Sequence, residues 1–181
     1  MNPGMFVYQA LAAAYKVLNN DFHALPKSAG KDARAKQIIR QTAWICAGWA
    51  VQPVPVADFL VLTPLQGCMA WRLANLRGVD LKEKNGQEMV KGALATVAMG
   101  YGAQQGTLAL YKAGVPLLGG VMTIPIVFSS TYAIGCVMDA YLVAKAGGRP
   151  FEPEDARKIY EEGEKEAGDY YNKNHGKGAR R

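Results

Sequence analysis

Charge is spread very unevenly along this 181-residue chain, and this limits its fold more than any single motif does. Residues 41–71 contain one charged side chain, Asp58, and residues 92–144 contain two, Lys112 and Asp139. Nearly all of the 21 basic and 15 acidic residues lie elsewhere. Such long uncharged stretches are typical of a buried core, an assembly interface or a lipid bilayer, so a plain soluble enzyme domain is disfavoured.

The formal net charge of +6 is concentrated near the N-terminus. Basic side chains recur up to residue 40, among them Lys31, Arg34, Lys36 and Arg40. This cluster predicts contact with anionic lipid or an acidic partner, although a solvated helix face explains it too. Nucleic acid is not expected as a partner, because these residues are not interleaved with aromatic ones.

Apolar residues recur with the period of an α-helix in the N-terminal part of the chain. The spacing predicts an amphipathic helix over Met5–Phe22 and a second helix over about Asp32–Val51. The second helix is basic in its first half and apolar in its second half. This pattern indicates either a rod standing at a membrane interface or a helix that runs from the surface into a core.

Prolines predict the next helix boundaries. Pro53 and Pro55 predict a break after the second helix, because proline removes a backbone donor. Asp58 follows at a capping position. The sequence from Thr63 to Gln66 has threonine before proline and glutamine at the third helical position, which predicts a helix that starts there and stops at Gly78.

Two glycine-rich apolar segments, 92–111 and 121–144, predict a central helical hairpin. Residues 113–138 carry no charge and outnumber the ~20 residues that span a bilayer core, but prolines and glycines dilute their hydrophobicity. Each glycine within a helix costs about 1 kcal/mol relative to alanine, so those of the first segment predict close helix packing. A bilayer crossing and a buried hairpin both fit this pattern.

The C-terminal part predicts an amphipathic helix after a linker over 147–150. Pro153 starts it, with Glu154 and Asp155 in its first turn. One face carries an apolar stripe: Ala156, Ile159, Tyr160, Gly163, Ala167, Tyr170 and Tyr171.

The fold class that follows is all-α: a helical bundle with a central Gly-rich apolar hairpin and amphipathic N- and C-terminal helices. Residues 1–30 form an N-terminal amphipathic helix and linker, 31–171 form the helical domain, and 172–181 form a basic flexible tail.

The sequence offers little catalytic chemistry. His23 and His175 are its two histidines, and Cys46, Cys68 and Cys136 lack metal-ligand spacing. We therefore expect a non-enzymatic protein with no catalytic residues, no cofactor and no metal.

Other polar residues have structural or binding interpretations. We expect Asp139 to pair with Lys112 or Lys145, and Asp58 and Gln66 to be polar contacts inside the bundle. The unpaired cysteine pattern and the lack of a cleavable signal pattern indicate the cytoplasmic side.

One stretch resembles a known family. The chain is similar to the YcjF-like domain of unknown function, which has a Pro-x-Pro-x-Ala-Asp segment running into a Pro-x-Gln-x-x-Met helix. The matching residues are 53–58, Leu60, Leu62, Thr63, Pro64, Leu65, Gln66 and Met69. The resemblance extends over roughly 36–167, through Leu73–Gly78, Val115-Pro116, Gly119-Gly120, Thr131–Met138 and Glu152–Glu166.

The resemblance implies an all-α domain that is often membrane-associated and is found attached to Era-like or dynamin-like GTPases. It implies no catalytic residue. This chain has no GTPase domain, so any GTPase would be a separate partner.

The leading hypothesis is a non-enzymatic, membrane-associated helical protein on the cytoplasmic face of the inner membrane, peripheral or integral. It would self-associate as a homo-oligomer or act as accessory to a GTPase-type partner. The alternatives are a soluble cytoplasmic scaffold that forms a homo-oligomer through its apolar hairpin, and a lipid- or small-molecule-binding bundle.

Overall fold

The computed structural model describes residues 12, 29–49, 55–80, 82–84, 87–88, 91–92, 95 and 119–175. Within these residues the chain forms four helices and no strand, which confirms the all-α prediction. The helices are α1 (Lys31–Trp49), α2 (Pro55–Arg77), α3 (Gly119–Ala146) and α4 (Pro153–His175). The helix predicted over Met5–Phe22 and the first arm of the hairpin, predicted over 92–111, fall almost wholly outside the described residues.

Helix α3 is the centre of the described bundle. It packs against each of the other three helices, whereas the backbone of α4 approaches α3 alone. Its residues are apolar around the whole circumference rather than on one face, as expected of an enclosed helix. Phe128, Ile134, Met138 and Leu142 are fully buried on it.

Contacts along the helices fix their relative directions. Arg77 at the end of α2 binds Asp32 at the start of α1, so these two helices are antiparallel. Ile39 of α1 and Met69 of α2 both lie against Gly135, where any side chain on α3 would collide with them. The missing Cβ at Gly135 therefore allows α1 and α2 to close on the middle of α3.

Helix α4 returns antiparallel along α3 and presents its predicted apolar stripe to it. Gly163 and Ala167 are buried at the centre of this stripe. A Cβ on Gly163 would lie 3.1 Å from the Cα of Ala133, so the two backbones are nearly in contact. Gly92 lies against the hydroxyl end of the Tyr141 side chain of α3, so the close helix packing expected of the glycine-rich segment stays a prediction.

Both α2 and α3 end at a glycine in the left-handed conformation. Gly78 has φ of 83°, and the amide of Val79 donates to the carbonyl of Ala74 at 2.9 Å. Gly148 has φ of 67°, and the amide of Arg149 donates to the carbonyl of Ala144 at 2.8 Å. These Schellman closures satisfy terminal carbonyls and confirm the predicted stop at Gly78 and the turn before α4.

The predicted helix start at Thr63 is wrong. Helix α2 begins at Pro55 and continues through Pro64 to Arg77. Pro55 occupies the first helical position, where a missing N–H is harmless. Pro64 removes one backbone hydrogen bond from the helix. Leu62 and Leu65 are buried on either side of it, and their burial stabilises the helix across the proline.

Candidate functional site

Polar and apolar side chains divide the bundle into two ends along its axis. The ion-paired end contains Asp32, Arg77 and Asp139. The apolar end comprises residues 44–49 of α1, 55–66 of α2 and 119–128 of α3, in which Asp58 is the one charged residue. Because α1 runs antiparallel to both α2 and α3, the uncharged half of each of these three helices lies at the same end.

The ion-paired end is built on the guanidinium of Arg77. Its Nε donates to Asp139 Oδ1 at 2.8 Å and its Nη2 to Oδ2 at 2.5 Å, while Nη1 reaches Asp32 Oδ1 at 2.7 Å. The side chains of Arg77 and Asp139 are 11% and 16% exposed, and that of Asp32 is 91% exposed. The hydrogen bonds to Asp139 hold the pKa of Arg77 above its ordinary value, so this fork stays charged.

The predicted partner of Asp139 is therefore corrected. Its partner is Arg77, and Lys145 instead lies over the ring of Tyr141, 5.7 Å from the centroid. The C-terminal end of α2 lies beside the part of α3 that contains Asp139. Because Arg77 and Asp139 are 62 residues apart, the spacing of residues along the sequence does not reveal this contact. Lys112 lies outside the described residues.

A second polar group joins α1 to α4. Lys36 Nζ binds Glu166 Oε1 at 2.8 Å, and the hydroxyl of Tyr132 donates to the same oxygen at 3.1 Å. Burial alone would raise the pKa of Glu166, but these two donors outweigh it and the pKa lies below its ordinary value. The same hydrogen bond raises the pKa of Lys36.

The four predicted basic residues all lie on α1, but they do not form one open patch. Lys36 reaches Glu166, and the guanidinium of Arg40 lies 5.4 Å from the ring centroid of Tyr170. Arg34 is half-buried, and Lys31 is exposed at the first position of the helix. Their role in lipid or partner contact stays a prediction.

An aromatic layer of Trp44, Phe128, Tyr170 and Tyr171 lies directly above Arg40. The Phe128 ring is 4.5 Å from that of Trp44, 6.0 Å from Tyr170 and 6.1 Å from Tyr171, measured between centroids. Sequence reasoning placed these residues on separate helices and missed the layer. The adjacent tyrosines at the end of the α4 stripe are the signal that pointed toward it.

The apolar end has its own small core. Cys46, Leu62, Leu65 and Val127 are buried there, with Trp49 packed against them. Gln66 is also buried, and its Nε2 has no hydrogen-bond partner among the described residues. Asp58 lies in the first turn of α2, about two helical turns from Gln66, and its side chain lies outside the described part. Their role as a polar site stays a prediction.

The three thiols lie in surroundings that suppress their reactivity. Burial raises the pKa of Cys46 and of Cys136 to about 12, and it also raises the pKa of Cys68. The thiolate is then a minor species at neutral pH, so these side chains are weak nucleophiles. No cluster of three or more His, Cys, Asp or Glu that could hold a metal ion occurs in the described ranges.

Within the described ranges, one helical stretch is long and apolar enough to cross a membrane. It is Ile124–Ala146 of α3, and 61% of its apolar window is buried inside the protein. The core helix of a globular bundle has the same length and composition, so this property alone leaves both interpretations open.

Comparison with known proteins finds one curated relative whose printed name concerns a membrane. The chain is 28% identical over 116 residues to Magnetosome membrane protein 22 of Magnetospirillum gryphiswaldense. The match covers 62% of this chain and 59% of the relative, so it spans less than two thirds of that protein. No solved structure matches.

A family profile matches a larger share of the chain. The family described as Domain of unknown function (DUF697) matches residues 26–152, which include α1, α2 and α3, while α4 lies beyond the match. This is the family associated with YcjF-like proteins, so the resemblance at Pro53–Asp58 and the residues after it is confirmed. The chain belongs to the DUF697 family.

Proposed function

We propose that this chain is a non-enzymatic, membrane-associated helical protein on the cytoplasmic face of the inner membrane. In this role it self-associates or serves a separate GTPase-type partner. The proposal depends on one observation above all, the separation of an ion-paired end from an apolar end along the bundle axis. Such a separation suits a protein at a bilayer surface, because one end can then meet an apolar medium while the other stays in water.

The charge pattern of α1 supports the same proposal. Its first ten residues carry five charged side chains, four of them basic, and residues 41–49 carry none. Basic residues near a membrane surface gain about 1 kcal/mol each from anionic lipids. Helix α1 thus combines a lipid-attracting segment with a segment suited to an apolar medium.

The printed name of the relative is a second, weaker support. Magnetosome membrane protein 22 is named for a membrane, and the matched segment is 116 residues long. The match covers 59% of that relative, and its name supports the membrane association proposed for this chain and nothing more specific.

Flotation on a density gradient tests membrane association. The purified chain is mixed with vesicles of phosphatidylethanolamine and phosphatidylglycerol, and in parallel with vesicles of phosphatidylcholine alone. We expect flotation with the anionic vesicles and weaker flotation with the neutral ones. A chain that stays monomeric and stable without detergent and floats with neither would overturn the proposal and favour the soluble scaffold.

Self-association has a candidate contact outside the apolar end. Trp71 is 51% exposed on the outer face of α2, an unusual position for so large an apolar side chain. We expect sedimentation velocity in mild detergent to show a discrete oligomer that Trp71→Arg dissociates. Asn75→Arg, one turn further along the same helix and also exposed, is the matched control. A monomer in detergent would instead favour the separate GTPase-type partner.

A further inference from the structure

We propose that the bundle enters the bilayer end-on through its apolar end and reaches no deeper than one leaflet. The bilayer is one that contains anionic phospholipid, and the aromatic layer lies at the level of its headgroups. This inference rests on the proposed membrane association and specifies its geometry. It excludes a crossing by Ile124–Ala146, the stretch of α3 that has the length and composition to span.

The length of the apolar end matches the depth of one leaflet. From Phe128 in the aromatic layer to the start of α3 at Gly119 are nine residues, or about 14 Å at 1.5 Å per residue. The hydrocarbon core of a bilayer is about 30 Å thick, so one leaflet offers about 15 Å. The described helices therefore extend as far beyond the aromatic layer as a single leaflet is deep.

The rest of α3 cannot lie in hydrocarbon. Asp139 is bound there by Arg77, and α4 flanks this part of α3 with an outer face of charged, exposed side chains. These include Glu161, Glu162 and Lys165 on the turns beside Ala133 and Cys136. Charged side chains facing lipid tails carry a large free-energy penalty, so this length of the bundle belongs in water.

The aromatic layer fits the boundary between these two regions. Tryptophan and tyrosine favour the headgroup level, because their rings are apolar while their N–H and O–H groups need polar partners. Trp44, Tyr170 and Tyr171 lie together on α1 and α4, with Arg40 beneath them. Lys173, in the last turn of α4, adds an exposed cation at the same end. Basic groups around an aromatic layer match the phosphates of anionic lipids.

The three tryptophans provide a built-in depth measurement. Trp49 lies in the apolar end, and Trp44 lies in the aromatic layer at its boundary. Trp71 lies two residues beyond Met69, which packs against Gly135 at the middle of the Ile124–Ala146 stretch. If α3 crossed the bilayer, Trp71 would lie near its centre. In end-on insertion into one leaflet, Trp71 lies in water.

The experiment measures tryptophan fluorescence of the full chain bound to phosphatidylethanolamine and phosphatidylglycerol vesicles, with lipids brominated at a shallow or a deep acyl position. Wild type and Trp71→Phe are compared; Trp71 is half-exposed, so phenylalanine there leaves the core intact. We expect the brominated lipids to quench the same absolute intensity in both proteins, because Trp44 and Trp49 supply all of the quenched signal. In Trp71→Phe, Trp49→Phe should then remove most of the response to the deeper bromines.

The inference would be overturned if the brominated lipids quenched less fluorescence in Trp71→Phe than in wild type. A loss of quenching by the deep bromines would be the clearest such result, because it would place Trp71 in the hydrocarbon. Quenching limited to Trp71 would also overturn it. Circular dichroism of each variant shows whether the helices remain, and the Trp71→Phe comparison stands even if Trp49→Phe fails to fold. A chain that does not float with these vesicles would defeat the proposed function itself, and a chain that floats with Trp71 quenched would defeat only the insertion geometry.

Discussion

At the ion-paired end of the bundle, helices α1, α2 and α3 are joined by a directional charge network centred on Arg77. At the apolar end, the same three helices meet through a small core of buried side chains: Cys46, Leu62, Leu65 and Val127. A charge network specifies which residues face each other, whereas apolar contacts are not directional and are driven by the removal of apolar surface from water. The two ends are therefore held together by different forces, ion pairs at one and apolar packing at the other.

The aromatic layer separates these two ends. Below it, Lys36, Glu166 and Tyr132 share hydrogen bonds between α1, α3 and α4. Above it, α1, α2 and the start of α3 carry no charge except Asp58. Because α4 is the most amphipathic of the four helices, it can cover α3 on the water side and still present tyrosines at the boundary.

The largest expected effect concerns the ion-paired end. Arg77→Ala removes the partner of Asp139, whose side chain is only 16% exposed, and leaves a buried carboxylate uncompensated. We expect the free energy of unfolding, measured by urea titration, to fall by about 3 kcal/mol. Asp32→Asn is the control. Its side chain is 91% exposed, so the loss should stay below about 1 kcal/mol. Equal losses would show that burial of the fork does not matter.

A smaller change in stability is expected at the contact between α3 and α4, the contact that brings the tyrosines of α4 into the aromatic layer. Gly163→Ala puts a methyl group 3.1 Å from the Cα of Ala133, and we expect a loss of about 1–2 kcal/mol from overpacking. Gly168→Ala lies on the same helix with open space around it, so it should gain about 0.5–1 kcal/mol from helix propensity. Thermal unfolding of both variants checks the pair. A gain in Gly163→Ala would contradict the close packing of the two backbones.

Membrane affinity should depend on the basic residue beneath the aromatic layer. Arg40→Gln removes one cation, worth about 1 kcal/mol near an anionic surface, so the partition coefficient into phosphatidylglycerol vesicles should fall about fivefold. Arg157→Gln removes an equal charge near the start of α4, on the water side, and should leave the coefficient nearly unchanged. Equal effects of the two variants would mean that net charge, and not the position of the boundary, governs binding.

The smallest expected effect is the pH dependence of the Glu166 contact. The pKa of Glu166 is below its ordinary value of 4.5 in the folded chain, so the contact stabilises the fold above that pH. The stability is lost as the pH falls through the lower folded pKa. Wild type should exceed Glu166→Gln by less than about 1 kcal/mol at neutral pH, since the side chain is half-exposed, and the gap should close in acid. A gap that widens in acid would contradict this sign.

Local signals in the sequence predicted the parts of the fold that local chemistry decides. Gly78 and Pro153 marked helix ends, and the period of the stripe from Ala156 to Tyr171 identified the buried face of α4. The helix start predicted at Thr63 and Pro64 was wrong because a capping pattern reports only local chemistry. Helix α2 continues through Pro64 because Leu62 and Leu65 are buried against the other helices, which the local pattern does not show.

The sites depended on long-range relations that one sequence does not reveal. Asp139 and Arg77 are 62 residues apart, and Lys36 and Glu166 are 130 apart. Uncharged stretches indicated that an apolar region exists, but their meeting at one end depends on the directions of the helices, with α1 antiparallel to both α2 and α3. The basic residues on α1 were identified, whereas the side chains of α4 that they reach were not.

Hydrogen–deuterium exchange tests the central claim, that the apolar end and not the ion-paired end meets the bilayer. Exchange is followed in the full chain, free and bound to anionic vesicles. We predict that bound vesicles slow exchange in peptides covering 44–49 and 170–175, and leave unchanged the peptides that contain Asp32, Arg77 and Asp139. Protection of the ion-paired end, or equal protection of both ends, would contradict the account.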